Sequence, residues 1–173
     1  MQGEPDSMKV TLTTKWVERA LDNNFQFRSE FLGANKEWTV VPVESASHFD
    51  EHDAERISKA ASLAGKSTLY AVRLEELKCE SRFVEVAVSK DGLLLFSRQY
   101  GLYNYAMIAD DFTFAIICTT DDYFLLAGPR RFVEIAVGKD VLEARAEFEA
   151  FAKDDSWSDS DRSWLTEISR RYA

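Results

Sequence analysis

The stretch "SHFDEHD", residues 47–53, holds the only two histidines of the chain, His48 and His52, with Glu51 just before the second. Histidines four residues apart can share a zinc ion from one face of a helix, and a neighbouring glutamate can activate a metal-bound water. Whether they can do so depends on where that face points. Ile57, Ala60, Ala61 and Ala64 mark the apolar stripe of a helix expected over 47–64 and stopped by Gly65, with Ser47 and Asp50 resembling the start of a capping box. At roughly 100° per residue from Ile57, His48 falls near 180° and His52 near 220°. Both rings are thus expected on the solvent side, beside Glu55 and Lys59.

The inverted zinc peptidases show the same H-x-x-E-H order. They follow the second histidine with an apolar residue, where this chain has Asp53, and they take a third carboxylate from a later helix. Glu134 and Glu143 are the nominees here, and no pattern singles either out. The sequence therefore favours a solvated helix face, with no metal and no cofactor expected. His48 and His52 remain the alternative metal pair and, with Glu51, the basis of an alternative reading as a small zinc-dependent hydrolase.

Other strings invite chemistry and fall short of it. "GKST" at 65–68 ends like a phosphate loop, but Ala60 stands where the first glycine belongs, and the expected order is helix then strand, the reverse of what that loop needs. The pairs Asp110–Asp111 and Asp121–Asp122 occupy successive turns of an antiparallel sheet, hence opposite ends of it, and cannot share one ion. No G-x-S-x-G elbow occurs, and neither Cys79 nor Cys118 has a base in prospect, so catalytic residues are not assigned. The two cysteines have no C-x-x-C spacing and read as free thiols.

Two binding candidates remain. In "AGPRRF" a helix starts at the end of a strand, so Gly128, Arg130 and Arg131 form a weak candidate site for a small anion, set against simple pairing of the arginines with acidic neighbours. In "RQYGLYNYAM" three tyrosines lie close together, and such side chains suit recognition surfaces. The candidate partner-binding surface is Tyr100, Tyr103 and Tyr105 with Asp110 and Asp111.

The elements that must position these groups follow from periodicity. Helices are expected over 14–23 behind Thr14, over 47–64, after Gly128–Pro129, over 140–153 with Val141, Leu142, Arg145, Phe148 and Phe151 inward, and in the stretch from Ser158 to the C-terminus. "NNFQFRSEFLGANK" fits either alternation or a short helix. Strands are expected in "EWTVVPV", placed at an edge by Pro42, and in "STLYAVRL", "RFVEVAV", "LLLFSRQY", "YNYAMIA", "FTFAIICT" and "YFLLAG", with "SKDG" as a hairpin turn. The near-repeat "RFVEVAVSKD" and "RFVEIAVGKD" has no third copy; context makes the first a strand and the second a helix.

The expected fold is a single α+β domain over 1–173, with residues 1–8 frayed. It comprises an antiparallel meander of about five to seven strands, covered on one face by the N-terminal, middle and C-terminal helices. With 30 acidic against 21 basic residues the formal net charge is -9, which disfavours nucleic acid and favours a basic protein partner. No apolar run is long enough to span a bilayer and no signal-like start is seen, so a cytoplasmic location without membrane contact is expected. The combined reading is a non-catalytic acidic protein-binding domain, an inhibitor or immunity-type partner of a basic protein.

Overall fold

The computed structural model describes residues 7–46, 48–76 and 83–173. It is α+β. The elements run α1 (Ser7–Ala20), α2 (Ser29–Ala34), β1 (Trp38–Glu44), α3 (Glu51–Leu63), β2 (Thr68–Arg73), a 3-10 turn (Leu74–Glu76), β3 (Phe83–Ala87), α4 (Lys90–Tyr100) and β4 (Tyr105–Ala109). They continue with β5 (Ala115–Cys118), β6 (Tyr123–Pro129), α5 (Arg130–Val137), α6 (Val141–Ala152) and α7 (Asp159–Arg171). The six strands form one sheet in the order β1-β6-β5-β4-β2-β3, and each neighbouring pair is antiparallel. Strands β4, β5 and β6 make the expected meander, and β1 lies at an edge as Pro42 implied.

Helices cover both faces of the sheet, where the sequence reading expected one. The reason is visible in the strands: every residue of β4 and β5 is buried, so residues pointing either way need an apolar lid. One lid is α3, α4 and α5, which set Ile57, Leu93, Phe96 and Val133 against Leu69, Met107, Ile116 and Leu126. The other is α1, α2 and α7, which set Trp16, Phe31, Leu165 and Ile168 against Val72, Ile108, Ile117 and Leu125. Helix α6 belongs to both, burying Val141 and Ala144 on the first side and Phe148 and Ala152 on the second. It thereby wraps the β1 edge, and Arg145 donates from Nη2 to the Val40 carbonyl at 3.1 Å. Val40 and Pro42 share the outward parity of that edge, so the missing N–H of Pro42 costs no ladder bond.

Several boundaries differ from expectation. "LLLFSRQY" is the body of α4 rather than a strand, and "SKDG" is its cap rather than a hairpin. The Ser89 side chain accepts from Gly92 N at 2.9 Å, and Leu93 and Phe96 then fall on one buried stripe. Helix α1 begins at Ser7, because Val10 and Thr13 extend the stripe of Trp16, Val17 and Ala20 backwards through a Thr-rich run. Residues 7 and 8 are therefore helical, and the rest of the segment expected to fray, 1–6, lies outside the described residues. Leu142 is 69% exposed and Ala144 takes the inner position expected of it. The ambiguous Phe-rich stretch makes an isolated bridge, Leu21 to Phe27, and then α2. The near-repeat divides as context predicts, into β3 and α5.

Gly128, the next-to-last residue of β6, has φ +156, and a Cβ there would lie 2.7 Å from the Phe114 Cβ. Gly128→Ala should lower stability by about 2 kcal/mol through overpacking and backbone strain, read as a shifted midpoint in urea unfolding. An unchanged midpoint would show that the sheet corner gives way freely.

Candidate functional site

The segment between β1 and α3 decides where the candidate chemistry goes. Helix α3 starts three residues later than the capping pair proposed from sequence, with Asp50 as N-cap: Asp50 Oδ1 accepts from Asp53 N at 2.7 Å, and Asp53 Oδ2 accepts from Asp50 N at 3.4 Å. Ser47, the expected cap, lies outside the described residues. His48 consequently precedes the helix and does not share a face with His52. Its backbone is left-handed at φ +46, and its side chain is buried, only 1% exposed.

The expectation that both imidazoles face solvent thus holds for His52 and fails for His48. The His48 ring stacks on Phe96, with centroids 5.6 Å apart, and its Nε2 bonds the Tyr103 carbonyl at 2.9 Å. Since a carbonyl only accepts, Nε2 carries the proton, and among the described residues the buried Nδ1 has no partner. Burial holds the His48 pKa below the usual imidazole range, against the bond to Tyr103 and the charge of Glu75. The His48 carbonyl accepts from Ser45 Oγ at 2.6 Å, and Phe49 N donates to Ser97 Oγ at 2.9 Å. This ring is a latch that ties the β1–α3 segment to α4 and the loop after it.

The other candidates are scattered. Glu51 is exposed and pairs with Lys90 at 3.2 Å. Among the described residues no three His, Cys, Asp or Glu side chains converge as a metal site, and Glu134 is engaged with Arg130 at 2.7 Å. Arg130 also pairs with Asp140 at 2.9 Å, so its fork is already answered by two carboxylates, while Arg131 beside it is exposed. Cys118 is wholly buried, which pushes its thiol pKa up and away from nucleophilic chemistry; Cys79 lies outside the described residues.

The tyrosine and aspartate surface is not brought together. Tyr105 is 2% exposed in the core, Tyr100 packs against Phe96 and Tyr105, and Tyr103 is 36% exposed with the Arg73 guanidinium 3.6 Å over its ring. Asp110 and Asp111 sit at the far end of β4, about 20 Å along the strand from Tyr103. Both clasp Lys66, at 2.7 and 2.6 Å, and so tie the β4–β5 turn to the segment after α3. The pair Asp121–Asp122 lies in the opposite turn, as expected, with Asp121 bonded by Trp164.

What sequence reasoning missed is a cavity of about 540 Å³ where the end of β1, the start of α3, the end of α5 and α6 meet. Pro42, Val43, Phe49, Val137, Ala144 and Phe148 give it apolar walls, and Glu44, Asp50, Asp53, Arg56, Lys139 and Glu147 supply its charges. Asp53 is the innermost of these chemically: its side chain is 9% exposed and pairs with Arg56 at 2.9 Å. Burial, reinforced by the neighbouring Asp50 charge, raises its pKa to about 6. Arg56 lies across Gly138, whose left-handed φ of +74 ends α5; a Cβ there would come 2.7 Å from Arg56 Cδ. Lys139 pairs with Glu147 at 2.5 Å. The sequence signal was the D-x-x-D-x-x-R spacing of residues 50, 53 and 56, one stripe at the start of α3.

His48 makes stability depend on pH with a definite sign. A depressed folded pKa means the unfolded chain binds the proton more readily, so stability is complete above the unfolded value near 6.5 and is lost as pH falls towards the folded value. Asp53, raised in the fold, contributes in the opposite sense between its unfolded value near 3.9 and about 6. Subtracting a His48→Asn variant, whose side chain tolerates the left-handed backbone, cancels the Asp53 part. The wild type should exceed the variant by about 2 kcal/mol in urea unfolding at pH 8, with the gap shrinking steadily below pH 6.5. A constant gap down to pH 5 would show that His48 protonation is not linked to folding.

Comparisons of the chain with models of protein families, with curated proteins and with solved structures give no match, so residues and geometry alone carry the functional reading.

Proposed function

We propose that this chain is a non-catalytic, acidic protein-binding domain, an inhibitor or immunity-type partner of a basic protein. The observation that supports the reading best is the charge at the concavity between β1, α3, α5 and α6, where four carboxylates line the walls against two cations. The two cations are consumed internally, Arg56 by Asp53 and Lys139 by Glu147, and among the described residues Glu44 and Asp50 form no ion pair. The N-terminus of α3 offsets roughly half a charge of this excess, which leaves the concavity negative on a chain already at -9. A surface of that sign speeds capture of a basic partner and repels acidic ones.

Two of the side chains that would otherwise argue for catalysis are buried. His48 is packed under the β1–α3 segment and Cys118 is sealed in the sheet. Neither is placed to meet a substrate from solution. The interaction surface is accordingly assigned to the mouth of the concavity, in place of the dispersed tyrosines and aspartates.

Immobilised full-length protein, exposed at low salt to a native-host extract, should retain a partner of net positive charge. Its binding should weaken by roughly tenfold or more as ionic strength rises several-fold past the physiological value. A partner that proves acidic, or one whose retention is indifferent to salt, overturns the reading.

A further inference from the structure

We propose that the concavity between β1, α3 and α6 is a docking groove for a short basic–apolar segment of the partner, an arginine with an aliphatic neighbour. The proposal rests on the basic-partner reading above and adds the chemistry that enters.

Size comes first. A volume of about 540 Å³ exceeds what a single side chain fills and falls in the range of sites that enclose drug-sized ligands, roughly 300–1,000 Å³. Two or three residues of an extended chain are an apt occupant. Val43, Phe49, Val137 and Phe148 supply hydrocarbon to the wall, and an aliphatic side chain loses water favourably against it. The rest is polar, with four carboxylates against two cations.

Charge complementarity then selects the cation. Asp50 uses Oδ1 to cap α3, and Glu44 ends an edge strand; both are exposed, and both keep carboxylate oxygens for a ligand. Asp53 lies deeper, already bound to Arg56 through Oδ1. A guanidinium entering past Glu44 and Asp50 finds planar acceptors at the mouth and a third carboxylate below. Arginine suits such a place better than lysine, because its planar fork pairs with carboxylates bidentately and it sheds water more readily beside apolar walls.

The groove is also held in shape before any ligand arrives. The His48 latch fixes the segment carrying Glu44, Ser45, Phe49 and Asp50, and the Gly138 turn lets Arg56 lie flat along the wall. Little ordering cost is then left for binding, which favours recognition of a short segment.

The test uses the full chain, isotopically labelled, titrated at constant ionic strength with acetyl-Gly-Arg-Leu-Gly-amide and with its citrulline counterpart, which keeps the shape and lacks the charge. Amide shifts should concentrate at Val43, Phe49, Asp53, Arg56 and Glu147, and the citrulline peptide should bind at least tenfold more weakly. Glu44→Gln with Asp50→Asn keeps side-chain size and an effective N-cap, so the variant should fold and lose at least tenfold in arginine-peptide affinity. Equal binding of the two peptides, unchanged affinity in a folded variant, or shifts confined to another surface would each overturn the proposal. Deca-lysine separates this failure from that of the broader reading. Salt-sensitive binding of deca-lysine elsewhere removes the groove and leaves a basic partner, whereas no binding of either probe removes both.

Discussion

Burial of the sheet on both faces is the constraint from which the other features follow. A strand such as β5, with Ala115, Ile116, Ile117 and Cys118 all inaccessible, cannot leave one side to solvent. Each face therefore demands its own helical layer, and the chain supplies α3, α4 and α5 to one and α1, α2 and α7 to the other. The aromatic residues divide between the layers. On one side Trp16 meets Phe27 and Phe31 edge to face, and Trp38 meets Phe31 in the same way, with centroids 5.4 to 6.4 Å apart, while Phe114 and Phe132 stack on the other.

A sheet covered on both faces still has edges. At β1 the open edge would be a row of unpaired main-chain groups, and α6 closes it by crossing from one layer to the other with Arg145 on the Val40 carbonyl. A round helix laid against the end of a strand does not fill the corner it makes with the α3 and α5 ends. That corner is the groove. Its position is thus a by-product of edge protection, and its charge is set separately, by which residues the loop and the first turn of α3 happen to carry.

The strong signals in the sequence were those with a local cause. Gly128–Pro129 punctuates β6 and α5, Pro42 marks an edge, and the Ile57 stripe locates the inner side of α3. Readings failed where a distant partner decides. "LLLFSRQY" is β-like in composition, and only the Ser89 cap and the packing of Leu93 and Phe96 under the sheet make it helical. Helical geometry does not extend backwards past the Asp50 cap to His48, and one residue in a left-handed conformation before that cap reverses the side on which its ring ends up. The groove was invisible for a related reason: its walls come from four elements spread over more than a hundred residues, with only the 50, 53 and 56 stripe adjacent in sequence.

Asp53 shows how cap chemistry and the electrostatics of the groove become coupled. As a first-turn carboxylate it complements the helix dipole and bonds the N-cap amide, contributions of about 1 kcal/mol each at most. Against that, a pKa raised to about 6 from 3.8 corresponds to roughly 3 kcal/mol disfavouring its ionised form at neutral pH, even with Arg56 beside it. The desolvation and the Asp50 charge outweigh the local gains. A carboxylate in that condition is under-compensated by its own protein. A second cation near Asp53 would stabilise the ionised carboxylate and ease the repulsion from Asp50 at the same time. Under the proposed reading, a basic segment entering the groove would recover part of that electrostatic cost.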